Sequence, residues 1–275
     1  MSAFKVIETV NNPGKPGKTG DDRSGFDASA GTAWVLDGAT DVTPLKPFPQ
    51  AESGAAWVAD ALSARLMVAP STRLDARAYW REVMADVRER AARESTIPLD
   101  RLPPEAWPIA SGIWMRRASD TAEFGWMGDC LALELETGTI IGNVESVAQE
   151  TEDSRTMATQ TKEEQWEAAR QSRIQTNSSD RPIFGLYPDR AAGMTTRSLE
   201  VRRGTEFVMM SDGFYRLIDP YRIVADGAGL AAMIRASGLS GAVEALRAFE
   251  SRTEAADISR IKASDDACAL WIELT

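Results

Sequence analysis

Aspartates recur along the chain where apolar segments begin or end. Three of the acidic motifs adjoin apolar runs that are typical of buried strands. A carboxylate at the end of a buried strand is costly unless something offsets its desolvation. Mg²⁺ or Mn²⁺ is a suitable partner, because hard divalent ions prefer oxygen ligands. The motifs are Gly20-Asp21-Asp22-Arg23, Asp37-Gly38-Ala39-Thr40-Asp41, Ser211-Asp212-Gly213-Phe214 and Ser264-Asp265-Asp266-Ala267.

Each motif also has a simpler interpretation when it is taken alone. Asp37-Gly38 and Asp212-Gly213 fit tight turns, since Asp and Gly both favour turn conformations. The paired aspartates of the first and last motifs fit solvated loops. A fifth motif, Gly128-Asp129-Cys130, lies between two predicted strands and fits a hairpin. The recurrence of strand-end aspartates over the whole chain is what favours a metal site.

Histidine is absent from the chain. This excludes His-based catalytic triads, His-ligated zinc and imidazole acid–base chemistry. Any reaction must therefore use carboxylates, hydroxyls, Lys, Arg, thiols or a metal-bound water. The two cysteines, Cys130 and Cys268, lack the spacing of a zinc site. We expect two reduced side chains packed near strand ends, although their number alone also permits a disulfide.

The composition indicates a soluble globular protein. The chain has 275 residues, is 43% hydrophobic and carries a formal net charge of −10. The negative charge argues against nucleic acid or an anionic membrane as a partner. No apolar stretch is long enough to span a bilayer, and residues 1–8 lack the order of a signal peptide. We expect a cytoplasmic protein with one domain over residues 1–275.

Hydrophobic periodicity predicts strands separated by helical pairs. Val58, Leu62 and Leu66 mark a first helix, and Tyr79, Val83 and Val87 mark a second. Residues 98–108 hold four prolines and are predicted to be a connector. Two late helices are predicted at 228–236 and 241–250. Strands are predicted at 4–10, 31–36, 112–117, 123–127, 131–135, 140–141, 198–202, 206–210 and 267–274.

Residues 148–180 differ from the rest of the chain in being polar and nearly free of aliphatic side chains. Thr161-Lys162-Glu163-Glu164 is typical of a capping box and predicts a short helix over 162–174. The segment fits an exposed helix with a mobile lead-in. It equally fits a flap that covers a site.

The order and content of the motifs resemble the metal-dependent protein phosphatases of the protein phosphatase 2C type. That family's signatures run Asn-Glu-Asp, Asp-Gly-x-Gly, Gly-Asp-Ser, Ser-Asp-Gly, and Asp-Asn or Asp-Asp before a closing strand. The resemblance spans roughly residues 4–274. It implies an α+β fold, a four-layer α-β-β-α sandwich with two central antiparallel sheets.

The resemblance also implies a site and a reaction. Asp37 would bridge two Mn²⁺ or Mg²⁺ ions, with the Gly38 carbonyl and Asp22 at one ion. Asp212 and Asp265 would hold the other, and Asp129 would help to hold a third. A water between the ions would attack the phosphorus of a phosphorylated serine or threonine in a protein substrate. The resemblance further implies residues 148–180 as a substrate-selecting flap. We expect a monomer.

This chain departs from the family pattern around the phosphate. The family's phosphate-binding Arg is missing, and Lys18 is the nearest candidate. Ala39 stands where some members have a histidine, which leaves a metal-bound water or Asp41 as the proton donor. Two alternatives stay open: a catalytically weak regulatory module, and a haloacid-dehalogenase-type phosphatase. The latter is disfavoured, because Ala39 occupies the place of that family's second aspartate.

Overall fold

Two antiparallel sheets form the centre of the fold in a computed structural model, which describes residues 3–68, 74–145, 147, 160–252 and 264–275. The first sheet has the strand order β1-β11-β10-β6-β7, and the second β2-β3-β4-β5-β9, with β8 paired to β4. The strands are β1 Phe4–Asn12, β2 Asp22–Asp27, β3 Thr32–Gly38, β4 Ile109–Ala118, β5 Thr121–Met127, β6 Leu131–Glu134, β7 Thr139–Gly142, β8 Phe184–Gly185, β9 Thr195–Glu200, β10 Glu206–Met210 and β11 Ala267–Leu274.

Alternating side chains explain why the sheets are buried on both faces. In β3, Ala33 and Val35 face the other sheet, whereas Trp34 and Leu36 face the helices. Successive residues of a strand point to opposite faces, so an all-apolar strand fits between two apolar layers. Phe124 of β5 and Phe207 of β10 meet between the sheets, with ring centroids 5.0 Å apart. The apolar layer between the sheets is thus built from both.

Helices cover the outer faces of the two sheets. The helices are α1 Gly54–Val68, α2 Ala76–Glu94, α3 Lys162–Asn177, α4 Asp212–Tyr215 and α5 Gly227–Glu250. α1 and α2 pack on the second sheet, and α5 packs on the first. This arrangement confirms the predicted α+β sandwich. Among the helices of the described residues, none has the length and apolar character required to cross a bilayer.

The predicted break between the late helices falls at Gly238 within α5. Its φ of 73° and ψ of 179° are not helical, so the helix is interrupted there. Glu8 of β1 accepts hydrogen bonds from the N–H groups of Leu239 and Ser240, at 2.7 and 2.9 Å. These N–H groups begin the second half of the helix and have no intrahelical acceptor. Glu8 therefore caps the second half of α5.

One sequence prediction is wrong, and some elements were not predicted. The residues Gly128-Asp129-Cys130 do not form a hairpin, because β5 belongs to the second sheet and β6 to the first. β2 was not predicted, since its sequence, Asp22–Asp27, is mostly polar. α4 was not predicted because four residues are too few for a helical period. The predicted connector at 98–108 contains two short 3₁₀ turns.

Candidate functional site

Asp22 and Asp37 lie side by side at one end of the second sheet. Asp22 is the first residue of β2 and pairs in antiparallel register with Asp37 near the end of β3. Asp22 is only 1% exposed, and its Oδ2 has no hydrogen-bond partner. A buried carboxylate oxygen without a partner is rare and calls for an explanation. A cation bound beside Asp22 would supply the missing partner of this oxygen.

Asp212 and Asp265 bring two more carboxylates to the same place from the first sheet. Asp212 begins α4 two residues after the end of β10, and Asp265 lies two residues before β11. These adjacent strands continue their pairing at Ser211, whose N–H donates to the Cys268 carbonyl at 3.0 Å. The carboxylates of Asp212 and Asp265 both act on Asp22 electrostatically. The site thus lies where the ends of the two sheets meet.

Asp129 completes the group, which we call the aspartate cluster. It lies in the segment that crosses from β5 to β6. An oxygen of Asp129, an oxygen of Asp37 and the Cys130 sulfur all lie within 4.8 Å of one another. Asp129 also raises the pKa of Asp212. The aspartate cluster consists of Asp22, Asp37, Asp129, Asp212 and Asp265.

The glycines after Asp37 and Asp212 are required by close backbone contacts. A Cβ on Gly213 would lie 1.9 Å from the Asp266 carbonyl oxygen. A Cβ on Gly38 would lie 2.6 Å from the Ala55 carbonyl oxygen. Real Cβ atoms do not approach this closely, so any larger residue would displace the neighbouring backbone. The Asp-Gly pairs therefore pack the segments of the site together, in addition to turning the chain.

Burial and mutual repulsion raise the pKa values of three cluster aspartates. For Asp22 the larger cause is desolvation, followed by nearby carboxylates, although a hydrogen bond from Ser211 acts in the opposite direction. Desolvation likewise raises the pKa of Asp37, helped by Asp22 and Asp212. For Asp212 desolvation comes first, and Asp265 and Asp129 add to it. A bound cation would relieve this repulsion.

The two cysteines lie beside the cluster as buried free thiols. Both are fully buried between the sheets, and they are not bonded to each other, which confirms the prediction. Burial raises the pKa of the Cys130 thiol, and the negative charge of Asp129 raises it further. Burial, followed by the charge of Asp22, also raises the pKa of Cys268. Both thiols are therefore neutral at ordinary pH.

Asp266 and Asp21 fix the backbone around the cluster and were not given roles from the sequence. Asp266 Oδ1 accepts from the Gly14 N–H at 2.8 Å, and Oδ2 accepts from the Asp21 N–H at 2.5 Å. The Asp21 side chain accepts from the Ser53 hydroxyl at 2.5 Å. Asp266 thus holds the loop before β2 against the start of β11. In each of these two motifs, one aspartate of the pair belongs to the aspartate cluster and the other holds the backbone around it. Asp22 and Asp265 are the cluster members, whereas Asp21 and Asp266 accept the hydrogen bonds described here.

Two arginines near the cluster were also missed. Arg216 Nη2 donates to Asp265 Oδ2 at 2.8 Å. Arg173 of α3 is buried and donates to the carbonyls of Ala39 and Thr40, at 3.2 and 3.0 Å. Arg216 lies four residues after Asp212, which places the two residues one helical turn apart. This spacing could have been recognised in the sequence once α4 is known. No signal in the sequence connects Arg173 to residues more than 130 positions away.

The remaining candidates from the sequence, Lys18 and Asp41, form contacts outside the aspartate cluster. Lys18 lies in the loop before β2, and its largely exposed side chain has Nζ 3.8 Å from Glu52. Asp41 accepts hydrogen bonds from the Gly54 and Ala55 N–H groups at the start of α1. Its position is explained by helix capping. A role for Lys18 in binding phosphate stays a prediction.

Comparisons with known proteins agree on one family. The family model described as Protein phosphatase 2C matches residues 15–250. No curated protein matches the chain in a sequence comparison. Among solved structures, PppA, a key regulatory component of T6SS in Pseudomonas aeruginosa, is 17% identical with a TM-score of 0.58, covering 100% of this chain and 99% of its own.

Two further structures show the same fold. The Mycobacterium tuberculosis serine/threonine phosphatase PstP/Ppp is 12% identical with a TM-score of 0.58 over 98% of each chain. The catalytic domain of the phosphatase PstP in complex with 2 manganese ions is 13% identical, with a TM-score of 0.55 over 100% of each chain. At these identities the similarity establishes the fold, while the family model covers most of the chain. The chain belongs to the protein phosphatase 2C family.

Proposed function

We propose that the protein is a divalent-metal-dependent phosphatase that hydrolyses phosphoserine and phosphothreonine in proteins. The observation that carries the proposal is the aspartate cluster, with the buried, unpartnered Oδ2 of Asp22 within it. Carboxylate oxygens are the ligands that Mg²⁺ and Mn²⁺ prefer. The donor set therefore fits the ions that the family implies. The complex of PstP with manganese supports the same assignment.

Each member of the aspartate cluster has a proposed role in holding the ions. Asp37 would contact both ions, with the Gly38 carbonyl and Asp22 at one and with Asp212 and Asp265 at the other. Asp129, beside Asp37, would help to hold a weaker third ion. When bound, the ions supply an activated water for attack on phosphorus and positive charge for the phosphoryl oxygens.

The residues of the site also explain why phosphate requires the cations. The carboxylates that converge here outnumber the positive groups beside them, Arg23 and Arg216, so the site itself repels a phosphate dianion. The chain has no histidine to donate or accept a proton. Asp41 is occupied by the N–H groups of α1, which makes it a poor proton donor to the leaving alkoxide. The protein's own part would be to position the cations and to hold the backbone of the site in place.

The flap is the proposed site of substrate selection. Residues 148–159 of the predicted flap lie outside the described residues, but α3 covers most of the remainder. Arg173 ties α3 to the segment that follows Gly38. Trp166 lies about two turns earlier on the same helical face and is 50% exposed. A half-exposed tryptophan on the helix that Arg173 ties to the segment after Gly38 suits contact with a protein substrate.

Phosphate release from synthetic phosphopeptides tests the proposal. We expect Mn²⁺ to support hydrolysis of phosphothreonine and phosphoserine peptides, and EDTA to abolish it. A phosphotyrosine peptide of the same sequence serves as the specificity control and should react far more slowly. If the folded protein binds Mn²⁺ but releases no phosphate from any peptide, the regulatory-module alternative is correct instead.

A further inference from the structure

Arg216 introduces a positive charge at one end of the aspartate cluster. Its backbone N–H donates to the Asp212 carbonyl at 3.1 Å, so Arg216 follows Asp212 by one helical turn. Its guanidinium then reaches back to Asp265, with 2.8 Å between Nη2 and Oδ2. Both side chains are about four-fifths buried, at 20% and 22% exposure. Solvent therefore screens this ion pair only in part.

Both oxygens of Asp265 already have partners. Oδ2 accepts from Arg216, and Oδ1 accepts from the Asp266 N–H at 3.1 Å. Within the described part of the chain, Arg216–Asp265 is the ion pair formed by a member of the aspartate cluster. The charge of Arg23 acts on Asp22 as well, but one Asp22 carboxylate oxygen has no hydrogen-bond partner. The two ends of the cluster thus differ: the oxygens of Asp265 are already engaged, whereas a cation would supply the missing partner of an Asp22 oxygen.

A closed set of contacts holds Arg216 in this position. Arg216 hydrogen-bonds the Tyr221 side chain. The Tyr221 hydroxyl lies 3.1 Å from Glu250 Oε1, and Glu250 Oε2 pairs with Arg247 at 2.7 Å. Arg247 in turn donates to the Asp265 carbonyl at 2.8 Å. This closed set of contacts fixes the Arg216 guanidinium and the Asp265 backbone relative to each other. The Arg216–Asp265 ion pair is therefore part of the folded structure.

We propose that Arg216 is an internal counter-charge that weakens divalent-ion binding at the Asp212–Asp265 end of the aspartate cluster. The two ions of the proposed function, on which this inference rests, then bind with unequal affinity. The Asp22–Asp37 end binds tightly, whereas an ion at the other end must share Asp265 with a guanidinium and bear its repulsion. Without metal, Arg216 partly offsets the repulsion among the carboxylates. Activity would then depend on the free concentration of the divalent ion.

Calorimetric titration of Mn²⁺ into the chelator-treated protein tests the inference. For the two ions of the wild type we expect one tight and one weak event, besides the still weaker third ion proposed beside Asp129. Arg216→Gln should tighten the weak event by about tenfold or more, as expected on removal of a like charge a few ångströms away. Arg202→Gln is the matched control, because Arg202 forms an exposed pair with Glu136. This control should bind Mn²⁺ like the wild type.

The outcomes separate this inference from the proposed function. A weak event that is unchanged or weakened in Arg216→Gln would overturn the inference alone. A wild type that binds no Mn²⁺ would contradict both. If Arg216→Gln folds only with Mn²⁺ present, Arg216→Lys provides the second test, since it keeps the charge. That variant should retain weak binding, and tenfold tighter binding by Arg216→Lys would contradict the role assigned to the charge.

Discussion

Asp22 shows at the level of one residue what a buried carboxylate of the proposed metal site costs in stability. Burial, followed by neighbouring carboxylates, raises its pKa above the ordinary aspartate value of 3.8. The folded state then holds the proton more tightly than the unfolded state. Its contribution to stability is therefore complete below pH 3.8 and is lost as the pH rises through the raised pKa. Metal-free protein should accordingly lose this contribution toward alkaline pH.

Asp22→Asn should stabilise the metal-free protein at pH 8. Removing a buried, poorly paired charge is worth about 1–3 kcal/mol in the free energy of unfolding. The gain should shrink as the pH falls, because the wild-type carboxyl then takes up its own proton. Urea unfolding at two pH values, with chelator present, measures the difference. Exposed Asp100→Asn is the control, and a gain that grows toward pH 5 would contradict this account.

The sequence identified the cluster aspartates but not the residues that support them. An aspartate at the end of an apolar run can be recognised locally, as at Asp37 and Asp212. Arg173 and Arg247 act through contacts between segments far apart in the chain, which no local pattern encodes. Asp266 was visible as half of a pair, yet its acceptance of two backbone N–H groups depends on the folded loop.

Among the elements, those with a clear hydrophobic period were predictable. β10 matches its predicted range of 206–210, and the predicted capping box is present, with Glu164 and Thr161 each bonding the other's backbone N–H. β2 was missed because its polar residues lack a period. The link at Asp129 was misread because a turn between two strands looks the same whether they share a sheet or not.

Arg173→Gln tests whether α3 supports the segment behind Gly38. The arginine is buried and donates to two backbone carbonyls, so its loss should cost about 1.5–3 kcal/mol in unfolding free energy. Phosphatase activity should fall as well, since this segment follows the proposed metal ligands. Exposed Arg197→Gln is the control for both measurements. An Arg173→Gln protein with wild-type stability would show that α3 is not anchored there.

Trp166→Ala tests the role of α3 in substrate selection. We expect KM for a phosphoprotein to rise severalfold, because an exposed aromatic anchor is worth about 1–2 kcal/mol at an interface. Hydrolysis of p-nitrophenyl phosphate should stay unchanged, because that substrate is too small to reach Trp166. Steady-state kinetics on both substrates measures the difference. Equal loss on the two substrates would argue against a selecting surface.

For the whole molecule, the layer between the sheets is what brings the aspartate cluster together. Asp22 and Asp37 come from the second sheet, and Asp212 and Asp265 from the first, so the distance between the sheets sets the width of the site. The four layers were expected from the family resemblance rather than from periodicity. Neither the family resemblance nor the hydrophobic periodicity determines how the two sheets align on each other. That a single domain spans all 275 residues stays a prediction.

Phe207→Ala should loosen this layer. Phe207 is fully buried against Phe124, and loss of such a ring costs about 3–5 kcal/mol in unfolding free energy. Phe26→Ala is the control, since Phe26 is 38% exposed and its loss should cost much less. Urea unfolding measures both variants. A Phe207→Ala cost no larger than that of Phe26→Ala would show that the inter-sheet layer is not what stabilises the fold.

We infer that the aspartate cluster holds the divalent ions that make hydrolysis possible. The most direct test is Mn²⁺-dependent hydrolysis of p-nitrophenyl phosphate by Asp37→Asn, with circular dichroism to confirm folding. Loss of the proposed metal-bridging ligand should remove several kcal/mol of transition-state stabilisation, so we predict a fall in kcat/KM of about 100-fold or more. A folded Asp37→Asn protein that hydrolyses this substrate at the wild-type rate would contradict the account.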